Sequence, residues 1–452
     1  MQRYRQFVVI GAGITGLTAA WQLRKNGKDV EVLECKNKIG GLMQTQTVDG
    51  FTMEQGPSTA TLKYPEVAEL FEDLSGKCSI ELPNSVSNRR LIWKGNKLHV
   101  LPSGIISGIT TPLFTFKDKM RLLAEPWRKR GTDANESVGA LAERRLGKSF
   151  VDYAVDPFIG GIYASNPYKI PTRLALPKLY ALEQKYGSFI KGSIALSKCK
   201  KTEREAKATK QIFSTRGGFT NLVKALGDLI GKDRITLNVN DLEIEYVEGS
   251  WKLTWNGGSI LAKNLITTCP AYSLPKLFSK IISKQEADIL GSLYYAPIVN
   301  IGVGLNHSEK VRWKAFGALI PSCEKQKILG ILMPSACFAN RAPKTGATYA
   351  YFMGGTDHPE YLNKTDEEIT EIVNDTLCNI LKYPIGTKAD VIRIFRHKCA
   401  IPQYMPDTDN RIATINAIED KYQTLRIAGN IKDGIGMADR IAQAIRIANS
   451  LI

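Results

Sequence analysis

The chain opens with apolar and polar segments that predict a strand, a turn and a helix in that order. Phe7 to Ile10 form a short apolar run, a glycine-rich segment follows, and apolar residues then recur at roughly helical spacing from Ile14 to Lys25. Residues 30–34 form a second strand-like segment. We interpret the first 34 residues as one right-handed βαβ unit, which predicts a parallel sheet with helices on its faces.

The middle of the chain has a different pattern. Residues 90–101 alternate around Lys94-Gly95-Asn96 as a β-hairpin does, and residues 294–355 contain several short strand-like segments separated by Gly, Pro and Asn turns. Helical patterns fill residues 113–211. We expect an antiparallel sheet and a mostly helical subdomain.

The C-terminal end returns to the first pattern. Residues 425–428 are strand-like, Gly429-Asn430 forms a turn, and the pattern is helical from Ile435 onward. The two chain ends are therefore expected to share one domain. The predicted fold class is α/β, with a discontinuous Rossmann-like domain, an antiparallel-sheet domain and a helical subdomain.

Composition narrows the possible functions. The chain has 452 residues, of which 43% are apolar, and this is enough for two or three domains. Its 61 basic and 44 acidic residues give a net charge of +17, which favours anionic partners. No nucleic-acid motif accompanies this charge, so we rank nucleic acid below anionic lipid and acidic metabolites.

The sequence gives no sign of metal chemistry or of a disulfide framework. The eight cysteines include no CxxC pair, and the four histidines show no metal-type spacing. We expect reduced core thiols, no metal site and no metal hydrolase. We also expect neither a signal peptide nor a membrane-spanning segment.

A dinucleotide site is predicted at the first turn, Gly11-Ala12-Gly13-Ile14-Thr15-Gly16, because this GxGxxG follows a strand and opens a helix. Gly11 permits the tight turn, Gly13 lets the backbone approach a pyrophosphate, and Gly16 lets helix and strand pack closely. The helix N-terminus attracts the anion. Glu34 is placed to accept hydrogen bonds from a ribose.

Further glycine segments favour FAD over NAD. Gly40-Gly41 follows Glu34, and a third glycine turn, residues 54–59, follows a strand-like Phe51-Thr52-Met53. Near the C-terminus, Gly429 and Asp433-Gly434 precede the last helix, whose N-terminal dipole would face the flavin.

With these segments in place, the chain resembles the protoporphyrinogen oxidase family within the amine-oxidase-like flavoproteins. The resemblance covers essentially the whole length. Its most specific motifs are Asp156-Pro157-Phe158-Ile159-Gly160-Gly161-Ile162-Tyr163-Ala164, Arg216-Gly217-Gly218-Phe219, Asn340-Arg341-Ala342-Pro343 and Ala400-Ile401-Pro402-Gln403-Tyr404.

The resemblance implies three domains, two of them discontinuous. The FAD-binding domain would comprise residues 1–85, 212–275 and 405–452, and the substrate domain residues 86–112 and 276–404. Residues 113–211 would form a helical, membrane-facing subdomain. A basic stretch there, residues 178–210, holds nine Lys or Arg against three Glu and is predicted to meet an anionic membrane surface. We expect a cytoplasmic protein with peripheral membrane association.

The resemblance also implies the site residues. The cofactor contacts would be Gly11, Ala12, Gly13, Ile14, Thr15, Gly16, Glu34, Gly40, Gly41, Gly56, Pro57, Ser58, Thr59, Val239, Gly429, Ile435, Gly436 and Met437. Gly161 would approach the substrate, Leu319 and Phe338 would line a macrocycle pocket, and Arg89 or Arg90 would meet a propionate. Neighbouring strand residues face opposite ways, so only one arginine can do so. Counting back from Leu98-His99 favours Arg90.

The implied reaction is the six-electron oxidation of protoporphyrinogen to protoporphyrin in haem synthesis, with hydride transfer to the flavin. No catalytic side-chain base is assigned, because the flavin carries the chemistry. The alternatives are coproporphyrinogen oxidation, another amine-oxidase-like activity on an amine or a polyene, and a non-catalytic porphyrin-binding flavoprotein. An NAD-dependent dehydrogenase is disfavoured by the extra glycine segments.

Overall fold

A computed structural model describes residues 3–102, 105–197, 202–308, 311 and 313–452. In chain order, the strands are β1 (Arg3–Ile10), β2 (Val30–Leu33), β3 (Thr45–Val48), β4 (Phe51–Glu54), β5 (Ala60–Thr61), β6 (Ile80–Glu81), β7 (Arg90–Lys94), β8 (Lys97–Val100), β9 (Ile212–Thr215), β10 (Ile235–Thr236), β11 (Glu243–Val247), β12 (Ser250–Trp255), β13 (Gly258–Thr267), β14 (Tyr295–Leu305), β15 (Gly317–Leu319), β16 (Gly330–Leu332), β17 (Ala347–Gly354), β18 (Val391–Pro402) and β19 (Leu425–Ile427).

The α-helices are α1 (Ile14–Lys25), α2 (Pro65–Asp73), α3 (Ile105–Thr110), α4 (Phe116–Leu123), α5 (Val138–Leu146), α6 (Lys148–Phe150), α7 (Asp156–Tyr163), α8 (Thr172–Ala175), α9 (Pro177–Tyr186), α10 (Phe189–Ser197), α11 (Glu203–Ala206), α12 (Thr220–Ile230), α13 (Leu274–Leu277), α14 (Lys284–Gly291), α15 (Pro334–Cys337), α16 (Asp366–Asn379), α17 (Thr408–Lys421) and α18 (Met437–Asn449). Within the described ranges, none of them is long and apolar enough to cross a membrane.

The first sheet joins the two ends of the chain. Its order is β10-β2-β1-β13-β12-β11, with β19 paired to β13. The pairs β1–β2, β1–β13, β2–β10 and β13–β19 are parallel. Apolar cores cover both faces, and one of them brings α1, α12 and α18 together. The predicted N-terminal strand–helix–strand unit is confirmed, and both ends of the chain contribute strands to this sheet. The last helix begins at Met437 rather than at Ile435.

The second sheet is almost entirely antiparallel. Its order is β18-β14-β17-β16-β15-β7-β8, and only the β7–β15 pair is parallel. The hairpin predicted at residues 90–101 is formed by β7 and β8. Of the strands predicted over residues 294–355, β15 and β16 are short, whereas β14 is longer than predicted, with 11 residues that are all buried. Helix α16 packs against the same core as this sheet.

The helical patterns predicted over residues 113–211 correspond to α4 through α11, which confirms a mostly helical segment. Its interior contains an ion-pair cluster: Arg145, fully buried, pairs with Glu125 and Glu183. Of the predicted basic stretch, Lys198, Lys200 and Lys201 lie outside the described residues. Arg204 and Lys207 form ion pairs with acidic residues of α2.

Candidate functional site

The GxGxxG turn connects β1 to α1 in the way a dinucleotide site requires. Gly11 has φ +101°, which favours glycine, and a Cβ at Gly16 would lie 1.8 Å from the backbone oxygen of Gly11. By contrast, a Cβ at Gly13 would meet no atom within 4 Å. The close helix–strand packing therefore depends on Gly16, while the backbone at Gly13 borders open space at the N-terminus of α1.

Glu34 lies directly after β2 and is joined to this turn. Its Oε2 accepts a hydrogen bond of 2.7 Å from Ala12 N, and its Oε1 accepts one of 3.0 Å from Lys36 N. Val239 N donates to the backbone oxygen of Glu34 at 3.0 Å. Cys35 Sγ also donates to Oε1, at 3.3 Å. Each carboxylate oxygen can accept two hydrogen bonds, so Oε2 retains capacity for a ribose hydroxyl.

The second glycine pair faces the first turn. Gly40 N donates to Ala12 O at 2.7 Å, and a Cβ at Gly41 would lie 3.4 Å from the Cα of Gly13. Two segments without side chains therefore border one space beside the N-terminus of α1. Such a space suits a pyrophosphate, because backbone N–H groups and the helix dipole attract its charge.

The third segment follows β4 and is held by the second sheet. Asn300 on β14 donates from Nδ2 to the backbone oxygens of Glu54 at 2.9 Å and Gln55 at 3.1 Å. His397 on β18 lies 2.7 Å from Gln55 O through Nε2, and burial lowers the pKa of this histidine. A neutral His397 is therefore the donor in this contact. The loop leads to Gly56, where a Cβ would lie 2.4 Å from Leu42 O.

A half-buried carboxyl group ends the same strand. Glu54 accepts hydrogen bonds from Phe219 N at 3.0 Å and from Thr45 Oγ1 at 2.8 Å. Burial raises its pKa to about 7, and these two hydrogen bonds and the charge of Arg341 oppose the rise. Glu54, Ser58, Phe338 and Arg341 line one small cavity together.

The C-terminal segment completes the set of loops around the first sheet. Gly429 N donates to Gln443 Oε1 at 2.9 Å, and its backbone oxygen accepts a hydrogen bond from Arg440. Gly436 caps α18, and its N–H donates to Asp439 at 3.1 Å. Ile435 packs on one core of the first sheet and Met437 on the other. A Cβ at Gly429 would approach Thr268 O to 3.0 Å, and Thr268 Oγ1 donates to Gly11 O at 3.3 Å, so Gly429 lies near the first turn.

The predicted substrate residues fall into two adjoining groups. Gly161 on α7 meets Leu319 on β15, since a Cβ at Gly161 would lie 2.6 Å from Leu319 Cδ2. Phe338 lines a second small cavity that Ser58 and Thr59 of the third cofactor segment also line. Phe316 and Leu332 complete this wall, so these apolar residues border the predicted cofactor loop at Ser58-Thr59.

The two arginines differ in their placement, although both are exposed. Arg90 begins β7 and pairs with Gly317, while Ile92 pairs with Leu319. Alternation along the strand therefore puts Arg90 on the Leu319 face of the sheet. Its guanidinium carbon lies 5.8 Å from the centroid of the Phe316 ring. Arg89 contributes its backbone oxygen to Phe316 N at 2.8 Å.

Sequence reasoning gave no role to Asn300, Glu54, His397 or Arg341. Asn300 had a recognisable signal, because it is a lone amide within an otherwise apolar strand. Arg341 belongs to the motif Asn340-Arg341-Ala342-Pro343. The partners of Asn300 are separated from it by about 245 residues, so no local pattern could identify them.

Comparisons with known proteins assign the chain to a family. Residues 14–452 match the family model described as flavin containing amine oxidoreductase. Protoporphyrinogen oxidase 2, chloroplastic/mitochondrial, of Arabidopsis thaliana is 26% identical over 481 residues, covering 99% of this chain and 94% of that protein. Coproporphyrinogen III oxidase of Bacillus subtilis (strain 168) is 23% identical over 466 residues, covering 97% and 96%.

A solved structure shares the fold. The crystal structure of a protein from Exiguobacterium sp. 255-15 has a TM-score of 0.81 and 22% identity, and the match covers 100% of this chain and 99% of that one. The predicted α/β fold is thereby confirmed, and FAD is the cofactor. The facing glycine turns, Glu34 and the N-terminus of α1 fit this dinucleotide. The chain, an oxidoreductase, belongs to the flavin containing amine oxidoreductase family.

Proposed function

We propose that this chain oxidises a porphyrinogen to a porphyrin, with protoporphyrinogen as the preferred substrate. The observation that carries the proposal is the apolar wall of Phe316, Leu332 and Phe338 beside the cofactor loop Ser58-Thr59. A largely apolar macrocycle needs such a wall next to the flavin. Relatives named protoporphyrinogen oxidase and coproporphyrinogen III oxidase match nearly the whole chain and support the same substrate class.

The chain's own residues would bind and orient the substrate. When bound, FAD accepts two electrons at a time, so the loss of six hydrogens takes three cycles. Leu319 and Phe338 would hold the ring against this cofactor and exclude water, and Arg90 would meet a propionate at the edge. Orientation is the main requirement, because the aromatic product is itself stable. No side-chain base is assigned.

Protoporphyrinogen is preferred over coproporphyrinogen because of its charge. Its two propionates leave most of the ring apolar, which suits one arginine and an apolar wall. Four propionates would need more cationic partners to avoid burying unpaired carboxylates.

We also propose that the helical segment rests on an anionic membrane surface. Phe116, Met120, Leu123 and Trp127 recur at helical spacing along α4 and the turn after it, and all four are exposed. Exposed basic residues follow at once, from Arg128 to Arg130. Apolar side chains beside basic ones are typical of surfaces that insert shallowly among anionic lipid headgroups. The proposed location is cytoplasmic, with peripheral membrane association.

The test is to supply protoporphyrinogen and coproporphyrinogen separately to the purified holoprotein and to follow porphyrin fluorescence in air-equilibrated buffer, with and without a quinone. We expect faster oxidation of protoporphyrinogen. Faster oxidation of coproporphyrinogen would reverse the substrate preference. Flavin reduction by an amine or a polyene, without turnover of either porphyrinogen, would assign another activity of the family. Porphyrin binding without turnover would indicate a non-catalytic binding protein.

A further inference from the structure

Arg341 occupies a buried position between the second sheet and the cofactor-side strands. Its side chain is 4% exposed, and Nη2 donates to Glu81 Oε2 at 2.7 Å, to Thr215 O at 2.8 Å and to Ser214 Oγ at 3.1 Å. These partners belong to β6 and β9. The two N–H groups of one guanidinium nitrogen therefore contact both strands, with one N–H shared between two of the three acceptors.

The rest of the guanidinium group is turned toward Phe338. The guanidinium carbon lies 5.6 Å from the centroid of the Phe338 ring, within the range of a cation–π contact. Nη1 is buried and has no hydrogen-bond partner within the described part of the chain. Since an ion pair alone would not require this arrangement, the aromatic contact is a second role of the side chain.

Glu81 holds the backbone next to the same ring. Its Oε1 accepts a hydrogen bond of 2.9 Å from Ala339 N, while Oε2 meets Arg341. One carboxylate thus accepts hydrogen bonds from the residues on both sides of Asn340, which has φ +54°. Phe338 is fixed at its ring by Arg341 and at the following residue by Glu81.

The Phe338 ring lines both small cavities beside Ser58. A shift of this ring would change the width of the space next to the cofactor loop. We propose that Arg341 is a positioning residue, which fixes Phe338 as one wall of the substrate pocket. This inference rests on the proposed function, because it takes Phe338 as a residue that contacts the porphyrinogen.

The experiment is a double-mutant cycle on the FAD-loaded protein, with Arg341→Lys and Phe338→Leu alone and combined. Lysine keeps the positive charge for Glu81, but it lacks the planar group that stacks on a ring. We expect Arg341→Lys to raise KM for protoporphyrinogen about fivefold, with kcat and FAD content within about twofold of wild type. In the Phe338→Leu background the same change should leave KM unaltered.

Glu81→Gln provides a second route to the same readout if Arg341→Lys fails to fold. The amide oxygen can still accept from Ala339 N, while the charge that anchors Arg341 is lost. We expect KM to rise here also, and only when Phe338 is present. Equal effects on KM in both backgrounds, or a lower Tm with unchanged KM, would overturn the positioning role. A wild-type protein that oxidises no porphyrinogen would instead overturn the proposed function, and the inference with it.

Discussion

The side-chain nitrogen of Asn300 lies 2.9 Å from the backbone oxygen of Glu54, a contact between the antiparallel sheet and the predicted cofactor loop. The same nitrogen is 3.1 Å from Gln55 O and 3.5 Å from Gly56 O. Asn300 is 2% exposed, so this contact is shielded from water. The two N–H groups of this amide therefore hold the carbonyl groups of Glu54 and Gln55 in the loop that leads to Ser58.

We expect Asn300→Asp to weaken FAD retention about tenfold, because a carboxylate cannot donate and would repel these carbonyl oxygens. The matched control is Asn264→Asp in the first sheet, where Nδ2 donates to Gln6 O at 3.1 Å. Both changes should lower Tm, but only the first should release FAD on gel filtration. Equal FAD content in the two variants would show that Asn300 does not support FAD binding through this loop.

The glycine turn gives a second prediction, in which two neighbouring glycines behave differently. Gly13→Val should fold, because its Cβ would enter open space and its φ of −76° suits any residue. The protein should lose its yellow colour, since the new side chain fills the space for the pyrophosphate. Gly16→Ala should instead destabilise the fold, because its Cβ would overlap Gly11 O. A folded Gly13→Val protein with stoichiometric FAD would show that the pyrophosphate does not bind in the space beside Gly13.

Much of this region could be predicted from the sequence because its signals are local. The helix from Ile14 to Lys25 matches the predicted range, since the glycine turn and the helical spacing both lie within a few residues. The start of the last helix was misplaced because Gly436 is its N-cap. Such boundaries depend on capping geometry, which hydrophobic spacing does not encode.

The second sheet was harder to predict because distant packing overrides local signals. Gly302 and Gly304 are typical of turns, yet both lie inside β14. Their Cβ positions would be 2.5 Å from Met53 and 2.8 Å from Phe51, so glycine is needed where β4 packs on this strand. The turn-like composition therefore reflects a tertiary contact rather than a chain reversal.

Glu54 gives a prediction about pH. Its pKa is about 7 in the folded protein, against an ordinary value of 4.5. Between these values the folded protein keeps a proton that the unfolded chain has lost, so this contribution to stability falls as pH rises through the window. In the wild type, Glu54 should lower the free energy of unfolding by on the order of 2 kcal/mol between pH 5 and pH 8. We expect this fall to be absent in Glu54→Gln. Parallel urea-denaturation profiles for both proteins would show that Glu54 does not titrate there.

The exposed apolar side chains of Phe116, Met120, Leu123 and Trp127, on α4 and the turn after it, predict membrane binding. Phe116→Ser combined with Trp127→Ser should reduce sedimentation with anionic vesicles severalfold, because two large apolar side chains no longer insert. Ile385→Ser is the control, since Ile385 is fully exposed but stands apart on a loop. Raising salt should weaken binding of the wild type through the basic residues. Equal partitioning of wild type onto neutral and anionic vesicles would contradict the electrostatic part of the proposal.

The choice between the two adjacent arginines gives the last prediction, which tests how the substrate is anchored. Arg90 shares a sheet face with Leu319, whereas Arg89 precedes the strand and faces the other way. A propionate contact made by Arg90 would exist in the ground state and in the transition state alike. Its loss should therefore raise KM and leave kcat nearly unchanged.

We expect Arg90→Ala to raise KM for protoporphyrinogen about fivefold, at the lower end for a charged hydrogen bond because the side chain is exposed. Arg89→Ala is the matched control and should leave KM unchanged, since Arg89 contributes its backbone oxygen rather than its side chain to Phe316 N. High salt should reduce the difference in KM between Arg90→Ala and the wild type, because it screens an exposed ion pair. A raised KM in Arg89→Ala alone would assign the propionate contact to Arg89. It would also show that the side chain of Arg89, not that of Arg90, faces the substrate. An unchanged KM in both variants would remove the propionate contact from this edge of the sheet while leaving the cofactor site intact.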